Sequence, residues 1–201
     1  VPVPAPAFVL PGDFAQSTTL AELQERFGPH EVRVDEQRLD DGTVERGVIL
    51  FPDDPTRRAY VDFYDDATLE GIHAIVVRDR GSVWRGKNGV RVGMTFAELR
   101  AANDWPFYVS GFWDDGTAYV RDQWSPAIGD DGRLGRLDVG EGEHMYFGVD
   151  LGLKGPVADI PPGDYPHDDN VSSDDPKYPR LGEIVEVTAI VASTSLDDEW
   201  E

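Results

Sequence analysis

Thirty-nine carboxylates and no cysteine set the chemistry open to this 201-residue chain. The acids come in pairs: Asp65-Asp66, Asp130-Asp131, Asp168-Asp169 and Asp174-Asp175. Paired carboxylates suggest calcium, which needs roughly six to eight oxygens converging from a defined loop. None of the pairs follows the alternating Asp-x-Asp-x-Asp-Gly spacing of a helix-loop-helix calcium loop. Asp164, Asp168, Asp169 and Asp174 are the one set that could converge, and solvated acidic turns explain them as well. Two carboxylates facing each other across a cleft could hydrolyse a polymer, but nothing in the spacing picks such a pair out of 39. His30, His73, His144 and His167 show no metal-binding spacing. The chain has no nucleophile elbow and no phosphate-binding loop. A triad assembled from distant residues stays open, because triads are defined by geometry.

The residues best suited to binding are aromatic. Trp84, Trp105, Phe107, Tyr108, Phe112 and Trp113 crowd one region, interleaved with Asp104, Asp114 and Asp115. Rings offer large contact area at small entropic cost, and with the neighbouring acids they could line a groove for a sugar, a peptide or a cationic side chain. About half of these rings are expected in a core. Phe112 and Trp113 are consecutive, so in a strand they point to opposite faces and one lies outside the core. A second candidate is the turn Asp53-Asp54 with Arg57 and Arg58, a carboxylate–guanidinium cluster. Its simpler reading is local: Asp in a turn bonds its own backbone, and Arg pairs nearby.

These side chains must be held by elements that the sequence marks clearly. Thr19-Leu20-Ala21-Glu22-Leu23 recurs as Thr95-Phe96-Ala97-Glu98-Leu99. In each, a Thr followed three residues later by Glu is a capping box that opens a helix. The first helix carries Leu20, Leu23 and Phe27 on one face and stops at Gly28-Pro29. The second carries Phe96, Leu99 and Ala102 and stops near Asn103. After the first helix, period-two alternation over 31–39, 45–51, 59–64 and 72–78, broken by Asp/Gly/Pro turns, predicts an antiparallel meander. Later strands are expected over 106–111, 117–124, 134–139, 145–153 and 183–193. Residues 154–182 hold Pro at 156, 161, 162, 166, 176 and 179 and read as a long acidic loop before the last strand.

Composition bounds the setting. The net charge is −21, with Asp outnumbering Glu by 26 to 13 and Arg outnumbering Lys by 15 to 3. Such a surface stays hydrated in salt, which fits a saline habitat, and an Arg-rich genome explains it equally well. No basic cluster exceeds Arg57-Arg58, which disfavours nucleic-acid binding, and no nucleic-acid partner is expected. No apolar run reaches the roughly 18 residues of a membrane-crossing helix. Residues 1–16 read as a Pro/Ala-rich extended lead-in left after removal of a targeting segment, with simple truncation as the alternative. The expectation is an exported protein, periplasmic, outer-membrane-anchored or secreted, with a lipid anchor on a preceding segment possible.

Gly93-Met94-Thr95-Phe96-Ala97-Glu98-Leu99 resembles the Gly-Met-Thr-x-x-Glu-Leu opening of exported bacterial proteins of the β-lactamase-inhibitor-protein and outer-membrane-assembly-lipoprotein type. That resemblance implies helical segments packed on antiparallel sheet, in tandem as in the inhibitors. The chain departs from them in lacking their cysteines and in having one helix per unit. A wider likeness is to a group of bacterial exported proteins without an assigned activity. It is carried by Arg26-Phe27-Gly28, by Leu50-Phe51-Pro52-Asp53-Asp54-Pro55 with Arg57-Arg58, and by Asn103-Asp104-Trp105-Pro106-Phe107 with Gly111-Phe112.

The sequence therefore predicts an α+β fold: two tandem units, each a short helix on a mainly antiparallel sheet, spanning 17–80 and 81–195. A single sheet shared by the two units is left open; a mobile loop is inserted over 154–182, and an acidic tail follows at 196–201. The function expected is a non-enzymatic exported or cell-envelope binding protein. It would engage a protein partner through Trp84, Trp105, Phe107, Phe112, Trp113, Asp114 and Asp115, with Asp53, Asp54, Arg57 and Arg58 as a second patch. The alternatives are a carboxylate-based hydrolase of an extracellular polymer and a calcium-dependent structural module. No cofactor other than calcium is expected.

Overall fold

The computed structural model describes residues 8–38, 44–120, 145–167 and 170–194. Both helices start as their sequences dictate. In α1 (Leu20–Phe27) the Glu22 N–H donates to Thr19 Oγ1 while the Glu22 carboxylate accepts from the Thr19 N–H at 2.8 Å. After α1 come β1 (Val32–Arg38), β2 (Val44–Leu50), β3 (Ala59–Asp65) and β4 (Glu70–Val77). Next is α2 (Phe96–Asn103), where Thr95 and Glu98 repeat the reciprocal cap. The chain then runs through β5 (Tyr108–Val109), β6 (Thr117–Tyr119), β7 (Tyr146–Leu153), β8 (Val171–Ser172), the single-turn α3 (Leu181–Ile184) and β9 (Val185–Ser193). No helix among the described residues is long and apolar enough to cross a membrane.

Seven strands form one sheet in the order β1-β2-β3-β4-β9-β7-β6, with every neighbouring pair antiparallel. The first four are the meander read from the alternation. The last strand, β9, lies in the middle, paired with β4 on one side and β7 on the other. The fold class is α+β, as expected. Strands from both halves belong to one continuous sheet, and repetition beyond the two helix openings is not seen among the described residues. One half supplies a four-strand meander; the other supplies β9, β7 and β6 plus a separate β5–β8 ribbon. The strands expected over 106–111 and 183–193 shrink to Tyr108–Val109 and Val185–Ser193, and the one expected over 134–139 lies outside the described residues.

One face of the sheet is the core. Val48, Leu50, Val61, Ile75, Val77, Ile190, Ala192, Phe147, Val149 and Leu151 line it, and Leu23, Phe27, Phe96 and Leu99 bring the helices onto it. Trp84 is fully buried. Its ring meets Phe8 edge-on at 5.2 Å and lies within 6.1 Å of Phe14 and 6.4 Å of Phe27, while its indole N–H donates to the Arg57 carbonyl at 2.7 Å. Trp84 is therefore a structural residue, which corrects its assignment to a binding surface. Two residues on, a Cβ at Gly86 would fall 2.0 Å from Phe147 Cζ, so only glycine lets this segment lie against β7.

Two further expectations are corrected. The lead-in is not a bare extended arm over residues 8–16: Leu10 and Phe14 are buried, and Val9 bridges Arg85. The stretch 154–182 is not a free loop in its described parts. Tyr165, Val171 and Tyr178 are buried apolar anchors, and β8 pairs with β5. The prolines set its course, and the rings tie it down.

The Trp84 cluster makes a direct prediction. Trp84→Ala should lower the free energy of unfolding by about 3–5 kcal/mol in urea denaturation. Trp84→Phe should lose less, about 1–2 kcal/mol, because it keeps a ring and forfeits only the indole hydrogen bond and some volume.

Candidate functional site

The candidate surface grows from the end of α2. Asp104 takes the left-handed conformation (φ 68°) and its N–H closes the helix on the Arg100 carbonyl. The buried Asn103 amide donates to the Trp105 carbonyl at 2.8 Å. This tight exit leaves the Trp105 side chain 41% exposed. Together with Ala97, Arg100, Ala101, Asp104 and Pro106 it lines an open groove of about 340 Å³ along the outer side of α2.

From there the chain alternates between core and surface. Phe107 is buried edge-on against Phe96 at 5.5 Å, and its backbone pairs with Ser173. Phe112 is buried edge-on against Tyr165 at 5.7 Å. Trp113 turns outward, 46% exposed. Phe107 and Phe112, expected on the binding surface, are thus core residues, and the opposition of Phe112 and Trp113 is as strand geometry requires.

Trp113 begins the turn into β6: it accepts from the Gly116 N–H at 2.8 Å and donates to the Thr117 carbonyl at 3.0 Å. Asp115 serves that turn. Its carboxylate accepts from the Thr117 hydroxyl and N–H, and those bonds hold it below the usual carboxylate range. Asp114 is exposed. The Trp113 ring rests on Tyr119 at 5.6 Å.

Tyr119 faces away from the core and stands directly opposite Asp150 in the β6–β7 register. Along β7, Phe147, Val149 and Leu151 fill the core, so Asp150 emerges on the other face. Its neighbours on that face are Gly148 and Gly152 along the strand and Ala189 across on β9. Burial alone raises the Asp150 carboxyl to about 6. Among the described residues no hydrogen bond or ion pair reaches it. Sequence reasoning passed over Asp150, although the signal was there: one acid inside the otherwise apolar run 145–153.

The turn at 52–58 is self-contained. Asp54 accepts from the Thr56 hydroxyl at 2.7 Å, the Thr56 N–H at 2.9 Å and Arg57 Nε at 2.7 Å, and is lowered to about 2, first by Thr56 and then by Arg57. Arg57 also lies over the Phe51 ring at 4.4 Å. Arg58 donates to the Pro52 carbonyl and pairs with Asp79 at 3.7 Å, and Asp53 is exposed. The turn joins β2 to β3, and β4, β9 and β7 separate β3 from β6. At about 4.8 Å per strand, this cluster and Trp113 sit on different parts of the molecule. They do not form one surface.

Two of the four expected calcium ligands have protein partners of their own. Asp164 pairs with Arg180, and Asp174 accepts from the Ser172 hydroxyl. Asp168 and Asp169 lie outside the described residues, as do Asp130-Asp131 and His144. Among the described residues no group of three or more His, Asp or Glu side chains is placed to hold a metal ion. No family model, curated protein or solved structure matches this chain.

Asp150 carries a pH prediction. A carboxyl raised to about 6 from about 3.9 in the unfolded chain destabilises the fold wherever it is ionised in the folded state. The penalty is full above pH 6, fades as the pH falls through 6, and is gone below about 4. Asp150→Asn should therefore raise the unfolding free energy by about 1–3 kcal/mol at pH 8 and leave it unchanged at pH 4. Paired urea titrations at the two pH values read the difference.

Proposed function

We propose that this is a non-enzymatic binding protein of the bacterial cell envelope or exterior, which docks a cationic polypeptide on the surface between Trp105 and Trp113. The observation that carries the reading is the exposure of these two tryptophans, 41% and 46%, in a stretch where Phe107 and Phe112 are buried. Tryptophan is the side chain most enriched among residues that dominate binding energy. It is an expensive residue to leave in water without a use.

Three features support a polypeptide rather than a small-molecule substrate. The groove beside Trp105 is open and lies along a helix, where an extended chain can rest. Asp104 lines it, Asp114 follows Trp113 in the chain, and the net charge is −21, which favours a partner rich in Arg or Lys. Ala97, Ala101 and Pro106 give the groove an apolar packing surface between Arg100 and Asp104.

Selection of a displayed random-peptide library against the immobilised protein tests this. Recovered peptides should be enriched in Arg and Lys, and should bind Trp105→Ala and Trp113→Ala at least about tenfold more weakly than the wild type. Both variants should keep the wild-type melting temperature within a few degrees, since both rings are on the surface. Recovery of no ligand, or of ligands that bind both variants unchanged, would sink the proposal.

A further inference from the structure

The geometry points to Trp113, Tyr119 and Asp150 as the place where the partner's arginine side chain is read. This rests on the docking function proposed above and adds the residues and the chemical group. The three side chains are contiguous: the Trp113 ring lies on Tyr119 at 5.6 Å, and Tyr119 is the direct cross-strand neighbour of Asp150. Direct neighbours in an antiparallel pair have Cβ atoms about 4.5–5.5 Å apart. A guanidinium laid along the rings would therefore bring its nitrogens within hydrogen-bonding reach of the Asp150 carboxylate.

The surroundings favour such a guest. Gly148 and Gly152 flank Asp150 on its own strand, and Ala189 stands across from it on β9. These three neighbours offer no more than a methyl group to the carboxyl, while Thr188 lies over Gly152 and Val191 beside Gly148. Being partly buried, the carboxylate lacks full hydration, and no described group compensates it. Its neutral form is favoured by burial, so at physiological pH it is ionised at a cost that a bound cation would relieve.

Arginine fits better than lysine for two reasons. Its planar head stacks on aromatic faces and forks onto a carboxylate, whereas an ammonium does neither. The chain already uses this pairing internally: Arg78 lies over Tyr60 at 4.1 Å, and Arg26 over Phe14 at 4.4 Å.

The test uses the full chain and two fluorescein-labelled peptides, Arg-Gly-Arg-Gly-Arg-Gly and its citrulline counterpart, titrated at physiological salt. Citrulline keeps the shape and removes the charge. The arginine peptide should bind at least about tenfold more tightly than the citrulline peptide. Asp150→Asn and Trp113→Ala should each lose at least about tenfold, and Glu25→Gln, which removes one exposed charge on α1, less than about twofold. Equal binding of the two peptides, or Asp150→Asn and Glu25→Gln losing the same amount, would overturn the assignment. If binding survives Asp150→Asn but is lost in Trp105→Ala, the arginine site falls while the docking function stands. If the wild type binds neither peptide, the arginine site falls and the library selection decides the docking function separately.

Discussion

The antiparallel ladder between β4 and β9 is the contact on which the rest of the molecule depends. It pairs Ala74 with Ser193, Ile75 with Ala192, Val76 with Val191 and Val77 with Ile190. Without it the meander and the strands of the second half would be two small sheets, each with an uncovered edge. The cost of closing so long a loop grows only logarithmically with its length. It is offset by burying Ile75, Val77 and Ile190 completely on the helix side. The register has little freedom, because a slip of one residue would exchange these side chains with those of the other face. Everything further along the sheet inherits its position: β7 pairs with β9, and β6 pairs with β7. Asp150 and Tyr119 face each other because β9 is where it is.

The aromatic residues divide according to this frame. Those near the start of the sheet close over one another beneath α1, with Phe27 edge-on to Phe51 at 5.4 Å and Phe8 edge-on to Trp84 at 5.2 Å. Such offset and edge-on pairs add about 0.5–1.5 kcal/mol beyond area burial. Those after α2 alternate instead, because the chain there runs extended between the helix and β6. Phe107 and Phe112 go in; Trp105 and Trp113 go out. The outward pair is held by polar bonds at each base, the Asn103 amide on one side and the Trp113–Thr117 turn on the other. The backbone that carries each exposed ring is thus held, which under the proposed docking would lower the entropy lost on binding.

Much of the framework was legible in the sequence, and the reasons are local. Thr19 with Glu22 and Thr95 with Glu98 specify their helix starts by hydrogen bonds that span three residues. Strands β1 to β4 and β9 show their alternation because each has a core face. The corrections come from contacts that no local pattern encodes. Trp84 looked like its exposed counterparts, and only its packing against Phe8, Phe14 and Phe27 decides its burial. The stretch 154–182 is rich in proline and aspartate, and its anchors Tyr165, Val171 and Tyr178 are too sparse to form a period. The repeated helix opening is real, yet it reports shared capping chemistry and says little about the strands that follow. The Asp53–Arg58 turn was read both ways, and its hydrogen bonds favour the local reading.

Net charge and local charge have different roles here. At physiological salt the screening length is about 8 Å, so the 39 acids do not act on a partner as one field at close range. Under the proposed docking they would steer a partner's approach. Selection between partners would then fall to groups that water reaches poorly. Asp54 and Asp115 are already occupied by Thr56, Arg57 and Thr117, and their lowered carboxyl values record that the charge is spent inside the fold. Asp150 is shifted in the opposite direction, by burial alone. A carboxyl held in that state weakens the folded protein slightly. Asparagine would remove the burden in nearly the same shape, so the placement of an ionisable acid beside two rings makes sense as recognition rather than as stability.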